Sequence, residues 1–346
     1  MLNIITGEGY ATQGEYLVNK KTGFKFLDLS NEIETEDVYL DTNIFVKYLD
    51  LLIQKSTYIG IKDISLTESE QNICYISSAF ITDYFVKIDM TTYSVHIPVS
   101  LIAAINVCKT NNNKRFFIIP IHLEFPNIIE SNYEGSGSEL NSAHANIIIV
   151  DTWLKKVEYF EPHGKAFTGH IIDFDIEEII LNMIHDLIGN DNYTFKNVQM
   201  LCPIGIQAIQ NIADPGSGYC LAWALLFIYL RVLNSSIIEF NEIDSDDITN
   251  FLTNLSPVEL TIYIKRYINY LKKNTIYMNQ KFVSQYKVYP IKISDKFKPV
   301  IKDRIKYLLK LYYNYKIKDR RIFEELVSYR SLPYFQNEFI KFFNNF

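Results

Sequence analysis

Cys220 closes the stretch DPGSGY and opens the apolar run CLAWALLFIYL. The stretch before it is rich in turn formers, and the run after it has helical length. The thiol therefore stands at a helix N-terminus, where unpaired N–H groups and the helix dipole favour a thiolate. A cysteine in such a place is ordinarily core filler. It becomes a nucleophile for carbonyl carbon when a base takes its proton and a donor receives the oxyanion. Both kinds of residue lie upstream. HANIIIVDTWLKKVEYFE carries His144 and Glu161, and CPIGIQAIQ carries Gln207 and Gln210. A carboxylate beside an imidazole holds its tautomer and stabilises the imidazolium. A glutamine amide is a suitable oxyanion donor.

The elements that must position these residues follow from pattern. HANIIIV and VEYFE read as buried strands joined through DTWLKK. With the turn centred on Thr152 and Trp153, Val150 faces Lys155, Asp151 faces Leu154, and His144 directly faces Glu161. Opposed residues share a face with Cβ atoms about 4.5–5.5 Å apart. A one-residue slip would separate them, and Glu158 and Asp151 are the alternative acids. RFFIIPIHLEF is a third strand, whose Pro120 implies a sheet edge or a strand end. NYTFKNVQML is a fourth, and 73–85 is ambiguous between helix and strand. Helical spacing marks 42–53, SLIAAINVCK, 172–189 closed by Gly189, and the almost wholly apolar CLAWALLFIYLRVLN. CPIGIQAIQNIADPGSGY reads as a loop, and 127–142 as a polar loop whose GSGS is suited to a lid. Two helices are expected in 245–273, the second capped at Ser256-Pro257. The expected fold is α+β: a central mixed or antiparallel sheet with packed helices, the thiol at the N-terminus of a buried central helix. Residues 1–39 are an irregular lead-in, 40–235 the core, and 236–346 a helical C-terminal extension.

The order His144, Glu161, Gln207, Cys220, on strand, strand, loop and helix, resembles the papain-like cysteine peptidases of the Ulp/SENP and adenain class, clan CE. RFFIIPIHLE stands where that family has a strand with a proline motif. CPxGxQ, DPGxGYCxAW and FEPHG further resemble a peptidase-like group encoded by large DNA viruses. The resemblance implies a cysteine peptidase or isopeptidase with Cys220 as nucleophile and His144 as base. It casts Glu161 as orienting acid and Gln207 as oxyanion donor, with no cofactor. The implied partner is a protein substrate, either the tail of a ubiquitin-like protein or a viral precursor. The chain departs from the family in four places. Ala145 stands where the family has Trp, the acid is Glu rather than Asp, Gln207 precedes the cysteine by 13 residues, and Leu221 follows it. A catalytically inactive binding or virion structural module is the alternative, and an acyltransferase would use the same residues.

Bulk properties bound these readings. The chain has 346 residues, 48% hydrophobic and 21% charged, a globular composition long enough for a large core. A net charge of −6 and a pI near 5.6 argue against general nucleic-acid binding. Four cysteines without a CxxC pair argue against a zinc ribbon or a disulfide framework, and point to a reducing compartment. Cys202 and His170 complete no metal-ligand spacing. No signal-peptide pattern opens the chain, and the apolar run 220–230 is too short for a bilayer. A soluble intracellular protein, in host cytoplasm or virion, is expected.

Overall fold

The computed structural model describes residues 10–13, 16–36, 85–89, 94–110, 115–124, 143–164, 176–189, 192–198, 205–215, 218–235, 243–275, 286–290 and 298–311, with Leu40, Ile44, Tyr48, Leu51, Leu326 and Phe335 as single positions. The GSGS loop, Cys202, His170 and most of 73–85 lie outside the described residues. Ile44, Tyr48 and Leu51 are helical and buried, as the spacing of 42–53 requires.

The fold is α+β. Its larger sheet has seven strands among the described residues: β4 (Val86–Asp89), β5 (Ser94–Pro98), β6 (Phe116–Glu124), β7 (Ala143–Asp151), β8 (Lys156–Phe160), β9 (Thr194–Asn197) and β10 (Tyr286–Pro290). Their order is β10-β5-β4-β6-β7-β8-β9. The β4–β6 and β8–β9 pairs are parallel and the others antiparallel. Parallel neighbours need a long crossover; helix α1 (Val99–Thr110) lies in the first and α2 (Ile176–Ile188) in the second. Gly189, at φ +117°, returns its N–H to His185 O and ends α2.

Pro120 lies in the middle of the sheet, not at an edge. β4 pairs with β6 only over 121–124, so residues 116–120 have β7 as their one described neighbour. The proline occupies a locally one-sided stretch, which resembles a sheet edge.

The central helix α4 (Cys220–Leu233) lies against β7 and is buried from Leu221 onward. Phe160 of β8 stacks flat on Phe227 at 4.2 Å. Arg231 is wholly buried in this helix and is neutralised from the sheet. Its Nε donates to Glu158 at 2.8 Å and its Nη2 lies 3.4 Å from Asp151. Arg115 grips the same Asp151 oxygen at 2.7 and 3.0 Å. Two arginines against two carboxylates leave no uncompensated buried charge, the condition for such groups in a core.

The same Asp151 sets the β7–β8 hairpin. Its second oxygen accepts from Trp153 N and Leu154 N, each at 3.1 Å. The connection is therefore the four residues 152–155, closed by Lys155 in the left-handed region at φ 51°, rather than a two-residue turn. Val150 faces Val157 and Asp151 faces Lys156. This register is two positions from the expected one, and an even shift keeps every side chain on its face.

The N-terminal segment is not irregular. β1 (Tyr10–Gln13), β2 (Tyr16–Asn19) and β3 (Lys25–Leu27) form an antiparallel sheet. Asn234, at the end of α4, accepts from Lys25 N at 2.7 Å and donates to Lys25 O at 2.8 Å, like one more strand residue. The C-terminal extension is not wholly helical, since β10 adds the edge strand beside β5. α5 (Ser245–Thr253) and α6 (Pro257–Asn274) each begin with a capping box, at Asp244 and Ser256. α7 (Lys298–Leu309) follows. One hydrophobic cluster takes in residues from Leu17 to Phe335. Among the described residues no helix is long and apolar enough to cross a membrane. Cys108, on α1, is disulfide-bonded, against the expectation of reduced thiols.

Candidate active site

His144 and Glu161 meet, and both are buried. Glu161 Oε1 is hydrogen-bonded to His144 Nε2. They do not meet as opposed residues. Carrying the observed register onward sets His163 beside His144 and Asn146 beside Glu161. The His144–Glu161 contact is thus a diagonal one, within reach of long side chains. Asn146 and Tyr159 make the same diagonal one rung further in, Asn146 Nδ2 donating to Tyr159 Oη at 2.7 Å. Neither stood out in the sequence, although the period of two alone places Asn146 on the face of His144.

The turn after β8 fastens the acid. His163 N donates to Glu161 Oε1 at 2.9 Å, and Gly164 N returns to Glu161 O at 3.1 Å. The His163 ring packs on that of His144 with centroids 4.6 Å apart. The outer side of this turn carries the glutamine segment. Gly205 N donates to His163 O at 3.1 Å and Gln207 N to Pro162 O at 2.9 Å. A Cβ at 205 would run into the backbone of Pro162, His163 and Gly164, so only glycine allows this approach. Gly205–Gln207 and Glu161–Gly164 are therefore two sides of one joint.

Gln207 and Gln210 lie on α3 (Ile206–Gln210), a short helix inside what reads in sequence as a loop. Both are buried. Gln210 Nε2 is engaged with Asp214 O at 3.4 Å and Thr261 Oγ1 at 3.5 Å. α3 packs against α4, and so Gln207 sits on an element beside the thiol-bearing helix. Glu158 and Asp151, the alternative acids, are committed to Arg231 and Arg115.

Cys220 is partly buried at the first position of α4. Burial pushes its thiol up, but a hydrogen bond and the charge of His144, with the Ala145 N–H, outweigh that and lower it. The backbone of Ala145 serves the sulfur here, whatever the side chain at that position. For His144 burial favours the neutral ring, yet Glu161 and the Cys220 thiol push it up to about 10. His163 moves the other way, to about 3, through burial and the neighbouring His144 charge. One histidine is thus held charged and its neighbour neutral, an arrangement that suits a thiolate–imidazolium pair. No cluster of three or more metal-ligating side chains occurs among the described residues.

No protein-family model matches this chain, and no curated protein sequence does. Solved structures do. The C-terminal protease domain of Ulp1, in complex with Smt3, the yeast orthologue of SUMO, is 13% identical, with 78% of this chain and 93% of that one covered at a TM-score of 0.29. The Legionella pneumophila effector RavZ is 13% identical over 86% of this chain and 88% of its own, TM-score 0.27. RavZ in complex with human LC3B is 9% identical over 97% and 91%, TM-score 0.30. Likeness at this level carries no chemistry by itself, which rests on the residues above.

Proposed function

We propose that this chain is a cysteine peptidase or isopeptidase acting on a protein substrate. The observation that carries the reading is the meeting of Cys220, His144 and Glu161, with the thiol also served by the Ala145 N–H. In the reaction the Cys220 thiolate forms a C–S bond to the scissile carbonyl, whose π electrons move onto oxygen. The Gln207 amide and the Cys220 backbone N–H receive that oxyanion. His144 gives its proton to the departing amine as the C–N bond breaks, leaving a thioester. Water then attacks, His144 takes its proton, and the carboxylate product leaves with the thiolate restored. Glu161 keeps the imidazole oriented throughout. Gln210 is the weaker candidate for the oxyanion because its amide is tied to Asp214 and Thr261.

The substrate in this reading presents an extended chain with small residues before the cleaved bond. The C-terminal tail of a ubiquitin-like protein and a viral precursor both have that form.

The test is alkylation of Cys220 by iodoacetamide at mildly acidic pH, followed by peptide mass spectrometry, with N-acetylcysteine in the same tube. Rates at least about tenfold above the free thiol, abolished by His144→Ala, are expected for an activated thiolate. A rate no faster than N-acetylcysteine would leave a binding module in place of the enzyme. A ubiquitin-like protein carrying a C-terminal electrophile then tests the substrate class by covalent capture on Cys220.

A further inference from the structure

Asp214 lies six residues before Cys220, in the stretch that delivers the thiol to its helix. Its Oδ2 accepts from two sides, Tyr219 Oη at 2.8 Å and Lys265 Nζ at 3.1 Å. Tyr219 immediately precedes the thiol, is wholly buried, and occupies the N-cap of α4, where its carbonyl accepts from Trp223 N at 2.9 Å. Lys265 belongs to α6, in the C-terminal segment, and its side chain is only 17% exposed.

The same stretch is held a second time by the same helix. Gln210 Nε2 reaches Asp214 O and Thr261 Oγ1. Thr261 gives its own hydroxyl proton to Pro257 O at 2.9 Å, which leaves its oxygen free to accept. Thr261 and Lys265 are four residues apart and so share one face of α6. Gln210 and Asp214 are therefore both fastened to a single helix face, and Tyr219 is held to it through Asp214. A solvent-touched pair such as Lys265–Asp214 contributes little to global stability. What it does control is geometry, because a shift of Tyr219 is a shift of Cys220.

We propose that Lys265 is a positioning residue for Cys220: through Asp214 and Tyr219, helix α6 fixes the start of α4 and so the contact of the thiol with His144. The inference rests on the thiolate reading given above. It assigns the C-terminal segment a part in the site. Asp214 stays ionised across the range in which the thiol titrates, since Tyr219 foremost and Lys265 hold its carboxyl below the usual range against the opposing effect of burial.

The experiment compares pH–rate profiles of Cys220 alkylation, with thermal midpoints, for wild type, Lys265→Met, Lys265→Arg, Tyr219→Phe and Lys273→Met. Lys273 bridges Glu32 at 2.6 Å from the far end of the same helix and is the control for a purely structural ion pair. Lys265→Met and Tyr219→Phe are expected to move the profile up by about one pH unit, a roughly tenfold slower reaction below the midpoint. Lys265→Arg is expected to restore the rate to within about twofold, as the charge and reach are kept. Lys273→Met leaves the profile in place. Should Lys265→Met fail to fold, Tyr219→Phe carries the same test, because it keeps the buried ring. A Lys265→Met or Tyr219→Phe profile that superimposes on a wild type still dependent on His144 overturns this inference and spares the thiolate. A wild-type Cys220 no faster than N-acetylcysteine overturns both.

Discussion

His144 sits between an acid, a thiol and a second imidazole, and each neighbour has a separable effect. Glu161→Gln keeps the shape but removes the charge that raises His144. Alkylation of Cys220 near neutral pH is expected to slow by about tenfold or more, since one pKa unit is worth a factor of ten. The two histidines also give stability opposite pH flanks. His144 is raised from 6.5 to about 10, so its contribution is complete below 6.5 and is lost as pH rises toward 10. His163 is lowered to about 3. The unfolded chain takes up a proton there from 6.5 downward while the folded one refuses it, so stability falls as pH falls from 6.5 to 3. The slope from one such group is at most about 1.4 kcal/mol per pH unit. Denaturant unfolding across pH is expected to show both flanks, with His163→Asn flattening the acid one. Gly205→Ala tests the joint between the acid turn and the glutamine helix. Its methyl has only backbone to push against, and a loss of about 1–3 kcal/mol is expected, with slowed acylation. Unchanged stability and rate in this variant would mean that the two segments can part without consequence.

At the scale of elements, the hairpin is held to the helix it covers by buried charge. Arg231→Met would leave Glu158 and Asp151 buried without their α4 partner. Breaking a buried pair from one side costs about 3–5 kcal/mol, so a shift of the denaturant midpoint by that amount is expected. Removing Arg231 together with Glu158, as a Met–Leu pair, is expected to recover much of the loss. The strands themselves were legible, because runs such as FFII and NIIIV have no other stable place than a covered sheet. The hairpin register was not. It depends on Asp151 drawing in the N–H groups of residues 153 and 154, a local bond that apolar pattern does not report. The face of His144 and Glu161 survived because the difference was even.

Across the whole molecule, β3, α5 and α6 close around α4. Tyr16 meets Tyr229 through their hydroxyls at 3.0 Å, and Ser245 donates to Glu158 at 2.8 Å. Glu32 bonds Asn269 and Lys273 of α6. A chain cut before residue 243 would expose the α4 surface that α5 and α6 cover, and no cooperative thermal transition is expected for it. A sharp transition in the truncated chain would show instead that 10–235 folds alone. The C-terminal helices were readable from Ser256-Pro257 and the i, i+3, i+4 spacing, but their attachment to the thiol loop was not.

Residue order and hydrophobic period alone determined the α+β class, the buried helix behind Cys220, and the alignment of His144 with Glu161 on one face. These follow from local rules, a turn before a helix and an alternation of two along a strand, which a linear sequence displays directly. Tertiary structure decided which of several acids meets the imidazole, by spending Glu158 and Asp151 on arginines. It also decided why residue 205 is glycine, what engages Gln210, and that strands β1 to β3 and helix α6 brace the core. Those outcomes depend on contacts between residues far apart in the chain, and spacing along a sequence carries no record of them.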